Sequence, residues 1–254
     1  MHVKLTIAYD GTGFVGWQRQ PTGTSIQALL EDALAPLDAA PVVVHGAGRT
    51  DAGVHACGQV ASITLQRTIT TDALVRALNF RLPRAVRVLS AEEVAPDFHA
   101  RFSASRKSYR YRIWNGPVLD PFERDFVWHI PSPALDVAAM ADAARHLVGR
   151  HDFAAFQGAG GDVETSVRTI YDSTIASSQA PLGGPLLTYE VEGDGFLRHM
   201  VRSIVGSLVE VGRGYRSADW LGDVLRSKDR HRAGRTAPAT GLFLMSVGYQ
   251  SPDL

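Results

Sequence analysis

Nine consecutive residues, Gly48-Arg49-Thr50-Asp51-Ala52-Gly53-Val54-His55-Ala56, bring together a guanidinium, a hydroxyl, a carboxylate and an imidazole. The glycines let a backbone or a ligand approach closely. The simplest chemistry is a single carboxylate, Asp51, on a tight loop with Arg49 nearby to keep it ionised and aimed. Such a group serves as a nucleophile or a base. The competing reading is a polar turn whose aspartate bonds its own backbone. Cys57 with His55 would offer thiol chemistry, but one cysteine beside a strand reads more simply as a small buried hydrophobe. His45, His55, His99 and His199 lack the compact spacing and the accompanying acids of a metal site.

A second cluster runs from Phe98 to Trp114, where Arg101, Arg106, Lys107, Arg110 and Arg112 alternate with aromatic residues. Strand periodicity puts Tyr109, Tyr111 and Ile113 on one face, and Arg110 and Arg112 on the other. Two readings stand: an edge strand with a solvated basic face, or a nucleic-acid surface with cations for phosphates and a tyrosine to stack a base. Arg202 falls near the first turn of a helix, where the dipole disfavours a cation; it either takes a carboxylate or a phosphate as partner or is a solvated surface arginine. Arg230, Arg232 and Arg235 form a further basic group.

These groups need elements to hold them. Val3–Tyr9 alternates as a strand, and Pro41–Ala47 is a β-branched run that reads as a strand entering the Asp51 turn. Gly11 to Gly16 fits a GxGxxG pattern, but no helix opens at its third glycine, so a dinucleotide site is rejected. A capping box of Thr24 with Gln27 instead starts a helix carrying Ile26, Leu29, Leu30, Ala33 and Leu34. Trp17, Gln18 and Arg19 are then presented at a surface, or Trp17 packs inside. Further strands are expected at Gln59–Leu65, Ala85–Ala91, Val167–Ile175, Leu186–Val191 and Gly241–Val247. Helices are expected at Thr71–Leu78, Leu135–Val148 and His199–Val211, the last with a buried stripe of Val201, Ile204, Val205, Leu208 and Val211. Gly116–Pro133, with four prolines, reads as an inter-domain passage, and Gln157–Asp162 as a mobile loop. Gly193-Asp194-Gly195-Phe196 echoes Gly11-Thr12-Gly13-Phe14, a hint that the two halves are related folds.

At 254 residues the chain has length for one large or two ordinary domains. Apolar content of 45% and charged content of 20% are those of a soluble globular protein. With no eighteen-residue apolar run and no leader pattern, a cytoplasmic protein without membrane association is expected. The lone cysteine excludes internal disulfides and multi-cysteine zinc sites. Zero net charge argues against wholesale polyanion binding and leaves patches open. Of 26 basic residues only Lys4, Lys107 and Lys228 are lysine, leaving 23 arginines, the side chain suited to forked phosphate contacts.

In order along the chain, six segments resemble the tRNA pseudouridine synthase A family. They are Tyr9-Asp10-Gly11 through Gly16-Trp17-Gln18-Arg19-Gln20, Gly48 to His55, Phe98 to Ala104, Tyr109-Arg110-Tyr111, His199 to Gly206, and Gly241-Leu242. The resemblance implies that Asp51 is the essential aspartate and nucleophile, that Tyr109 packs against the target base, that Arg202 pairs with Asp51 and that Arg49 supports the site. It implies that Leu242 and Leu244 help line the pocket, and it makes Arg101, Arg106, Lys107 and Arg110 candidates for contact with tRNA. It also implies an α+β fold of two domains, 1–106 and 107–254, with mostly antiparallel sheets, helices packed on one side and a catalytic cleft between them. A homodimer, no metal, no organic cofactor, and uridines 38, 39 and 40 of the anticodon arm as substrates complete the expectation. The chemistry fits a lone carboxylate, because converting uridine to pseudouridine breaks a C–N bond and makes a C–C bond without redox change or group donor. Whether Asp51 attacks sugar or base, or removes a proton, is left open. The alternatives are an RNA-binding protein without catalysis and a carboxylate-dependent hydrolase of nucleic acid, which needs a second acid within reach.

Overall fold

A computed structural model of the chain describes residues 1–160, 164–180 and 183–249. In chain order the elements are β1 (His2–Tyr9), α1 (Ile26–Leu34), β2 (His45–Gly46), β3 (His55–Thr64), α2 (Thr71–Arg81), β4 (Val86–Glu93), β5 (Ala104–Trp114) and β6 (Trp128–His129). They continue with α3 (Val137–Arg145), β7 (Gly149–Asp152), β8 (Val167–Gln179), β9 (Pro185–Gly193), α4 (Met200–Gly212), α5 (Ala218–Ser227) and β10 (Leu242–Tyr249). The class is α+β as expected, with mostly antiparallel strand pairing; β10 runs parallel to β3 and β6 parallel to β5. No helix among the described residues is long and apolar enough to cross a membrane.

Contacts divide the chain into two compact units, Met1–Ser105 with the stretch from Phe243, and Arg106–Leu242. In the first unit β1 lies between β3 and β4. Val3, Leu5, Ile7 and Tyr9 alternate inward to form the core side of β1, as strand periodicity requires. Helix α1 buries Ile26, Leu30, Ala33 and Leu34, while α2 buries Leu74 and Leu78 and packs on β4. Strand β3 is met at its 61–62 end by β2 and at its 55–56 end by β10. The stretch from Phe243, expected with the second domain, therefore belongs to the first unit.

In the second unit the order is β6, β5, β9, β8, β7. Helix α4 is buried on nearly every side, including the whole expected stripe. The segment after α5 crosses it at Gly206, where a Cβ would collide with the Arg235 carbonyl, so only glycine fits. The Ser207 hydroxyl accepts from the Gly234 N–H at 2.9 Å and fixes that crossing.

Four expectations need correction. Residues 41–44 are not a strand, because Val44 gives its N–H to the Glu31 carboxylate (3.4 Å) and its carbonyl to Gln27 (3.1 Å). Side chains of α1 thus occupy the backbone groups a neighbouring strand would take. The α1 cap is Ser25, accepting from the Ala28 N–H, rather than Thr24. Gly116–Pro133 is no inter-domain passage but part of the second unit. Asn115 ties it down by donating to the carbonyls of Ile130 and Pro133 and accepting from the Leu135 N–H. Cys57 is exposed. Part of the loop expected to be mobile, residues 161–162, lies outside the described residues.

Candidate functional site

Asp51 sits in the turn that leads into β3, closed by the Val54 N–H donating to the Asp51 carbonyl at 3.1 Å. Gly53 supplies the positive φ of 77° that this turn demands. What distinguishes the turn from an ordinary surface loop is its bracing. The buried Thr50 hydroxyl lies 2.8 Å from the Tyr9 hydroxyl, and the Thr50 carbonyl accepts from the Trp17 N–H at 3.0 Å. Gln59, wholly buried, donates to the Gly48 carbonyl at 2.9 Å and reaches the Tyr9 hydroxyl at 3.4 Å. Burial pushes the Tyr9 phenol up to about 12, so it remains a neutral hydrogen-bonding group.

The 10–17 loop lies directly on the Asp51 turn. Gly16, at φ 103°, would bring a Cβ within 2.6 Å of the Thr50 carbonyl, and a Cβ on Gly11 would collide with the Val54 carbonyl. Glycine at both positions is thus a condition of the two loops touching. Trp17 is buried, its ring 6.3 Å from that of Tyr9, so of the two readings packing holds. Arg19 is held by Glu31 and Asp32. The buried His55 ring accepts the Gly11 N–H at Nδ1 (3.0 Å), with Asp10 Oδ1 3.1 Å from the same nitrogen, and stacks on Phe243 at 4.7 Å. Arg49 is exposed and makes no ion pair among the described residues. Tyr9, Trp17 and Gln59 brace the turn, and His55 holds the 10–17 loop beside it; of these the sequence offered packing for Trp17 and singled out His55 for other chemistry, while Tyr9 and Gln59 stood only as positions of alternating strands.

The other candidates on the first unit are Leu244 and Arg101. Leu244 is buried on β10 opposite Ala56. Arg101 is exposed, its guanidinium 5.4 Å from the centre of the Phe102 ring.

In the second unit Tyr109 lies on β5 opposite Val191, with its ring edge-on to Phe196 at 4.9 Å. Tyr111, on the same face, donates its hydroxyl to the Pro238 carbonyl at 2.8 Å. Burial raises the Tyr111 phenol far above its ordinary value, against the lowering effect of Arg202 and Arg235. Arg202, the third residue of α4, donates from Nε to the Ala237 carbonyl at 2.8 Å and accepts the Ala237 N–H on its own carbonyl at 3.0 Å. The 237–238 segment thus joins the Arg202 helix to the strand of Tyr109. Leu242 is buried as the first residue of β10.

The basic face of β5 is largely neutralised. Arg110 makes two bonds to one oxygen of Glu190, Arg106 pairs with Glu192 and Arg112 with Glu123. Arg106 also covers the ring of Tyr171 at 4.5 Å. Lys107 lies on β5 opposite Gly193. Among the described residues no group of three or more His, Cys, Asp or Glu is arranged to hold a metal ion.

Comparison with known proteins extends this picture. Residues 5–103 and 143–250 match the family described as tRNA pseudouridine synthase. A Pelobacter propionicus protein named tRNA pseudouridine synthase A is 47% identical over 247 residues, 97% of this chain and 99% of its own. Relatives of the same name from Myxococcus xanthus and Methylacidiphilum infernorum are 48% and 46% identical, over 98% of this chain in each case and 92% and 96% of their own.

Proposed function

The chain belongs to the tRNA pseudouridine synthase family, and we propose that it isomerises uridines 38, 39 and 40 of the tRNA anticodon stem-loop to pseudouridine, with Asp51 as the reacting carboxylate. The observation that carries the assignment of Asp51 is the bracing of its turn. Buried hydrogen bonds from Tyr9, Gln59 and the Trp17 backbone hold a half-exposed aspartate on a loop that solvent alone would leave free. A preorganised reactive group needs no reordering at the moment of reaction.

In this reading Asp51 supplies the nucleophile or base that frees uracil from C1′ of the ribose; the ring turns, its C5 bonds to C1′ and loses its proton, and N1 takes up a proton. Tyr109 packs on the base once it has left the stack, its own ring steadied by Phe196. Arg202 pairs with Asp51, Arg49 supports the site, and Leu242 and Leu244 give the base an apolar wall. Arg101, Arg106, Lys107 and Arg110 face tRNA phosphates. The protein acts without cofactor or metal, in the cytoplasm, as a homodimer.

The test is pseudouridine mapping on an unmodified tRNA transcript, with purified protein alone and EDTA present. Wild type converts anticodon-arm uridines, whereas Asp51→Asn binds the same tRNA within about twofold and converts none, since it removes a charge at nearly constant shape. Conversion by Asp51→Asn would remove the assignment.

A further inference from the structure

The loop from Ala95 to Ser103, wholly in the first unit, holds an aromatic side chain out in water by an unusual number of bonds. Ala100, itself fully buried, donates its N–H to the Ser62 hydroxyl at 3.1 Å and accepts the Tyr249 hydroxyl at 2.8 Å. The Phe98 ring packs on that of Tyr249 at 5.0 Å. The His99 N–H donates to the Ser103 hydroxyl, and the Ser103 N–H returns to the His99 carbonyl at 2.9 Å. His99 Nδ1 accepts the backbone N–H of Arg101 at 3.1 Å and of Phe102 at 3.4 Å. A loop so anchored could tuck its apolar residues beneath it, and Phe98 does so. Phe102 instead remains 75% exposed.

The exposed ring is not isolated. His45, His99 and Phe102 form a run with centroid separations of 5.2 and 4.4 Å. Arg101 lies over the Phe102 ring. Arg19, Arg106, Arg110 and Arg112 each hold a carboxylate, whereas Arg101 makes no ion pair among the described residues. Phe80 and Phe122 are as exposed, at 90% and 76%, but have no ring or cation contact among the described residues. A fixed aromatic face beside an uncommitted guanidinium is the pairing that single-stranded nucleic acid recognises, the ring for a base and the cation for the neighbouring phosphate.

We propose that Phe102, supported by His99 and His45 and flanked by Arg101, is a stacking platform for an unpaired base of the bound tRNA, separate from the uridine that reacts. The proposal rests on tRNA being the substrate. Its partner is an unstacked nucleotide rather than a duplex, because a base stacked within a helix has both faces covered by its neighbours.

The experiment measures tRNA affinity by filter binding for full-length wild type, Phe102→Ala, Phe102→Leu and Phe102→Trp, together with pseudouridine formation at saturating tRNA and mass by light scattering. Phe102→Ala is expected to raise Kd at least about fivefold, the lower end of what one stacked base contributes. Phe102→Trp restores affinity, Phe102→Leu does not, and the saturated rate and the mass stay as in wild type. Wild-type affinity in Phe102→Ala overturns the proposal. Full restoration by leucine overturns it as well, because apolar contact would then suffice, and a change of mass would assign the ring to a second copy of the chain. The affinity comparison is read whether or not pseudouridine forms, so its failure is distinct from failure of the catalytic reading.

Discussion

A single hydroxyl pair joins the Asp51 turn to the first strand: Tyr9 and Thr50, 2.8 Å apart and both buried. Tyr9→Phe keeps the ring and its contact with Trp17 while leaving the Thr50 and Gln59 groups one partner short. One such loss costs about 1 kcal/mol. The fold survives that, with a melting temperature lower by a few degrees, but the turn loosens. Steady-state kinetics on tRNA should therefore show kcat falling while KM stays near wild type; equal changes in both would mean that Tyr9 serves binding instead. Arginines divide in the same way by their immediate neighbours. Arg110 is bound to Glu190, so Arg110→Gln should weaken tRNA binding less than Arg101→Gln, which removes a cation with no carboxylate to satisfy. Filter binding at several salt concentrations checks this, since a lost phosphate contact also lowers the salt dependence by about one ion.

Helix α4 illustrates what an element must give up to carry Arg202 against a neighbouring segment. Its stripe of Val201, Ile204, Val205, Leu208 and Val211 was legible from period alone, and all five are buried. That Gly206 is a contact point was not legible, because the residue it admits, Arg235, is distant in sequence. Gly206→Ala forces a methyl into a backbone carbonyl that has no rotamer to escape by. Overpacking of this kind costs about 1–3 kcal/mol or more, and denaturant unfolding should show it, along with reduced activity because Arg202 is tied to the same segment through Ala237. An unchanged midpoint would mean the segment moves aside freely.

At the level of the whole chain, the last strand belongs with the first hundred residues. β10 pairs with β3 through Phe243 and Leu244, places Phe243 on the His55 ring and brings the Tyr249 hydroxyl to Ala100. Truncation after Leu242 should therefore raise hydrogen exchange in β3 and in the Ala95–Ser103 loop while β8 and β9 keep their protection. Uniform loss would mean that the two units unfold together. The sequence by itself determined the α+β class, the placing of most strands and helices, the nomination of Asp51, Tyr109 and Arg202, and the family, because alternation, helical period and short motifs are local properties of neighbouring residues. It did not determine that Val44 gives its backbone hydrogen bonds to α1 side chains, that Glu190 and Glu192 neutralise Arg110 and Arg106, or that Tyr9 and Gln59 brace the Asp51 turn while His55 holds the loop beside it. Those depend on which groups far apart in the chain arrive within 3 Å of one another, and only the folded arrangement decides that.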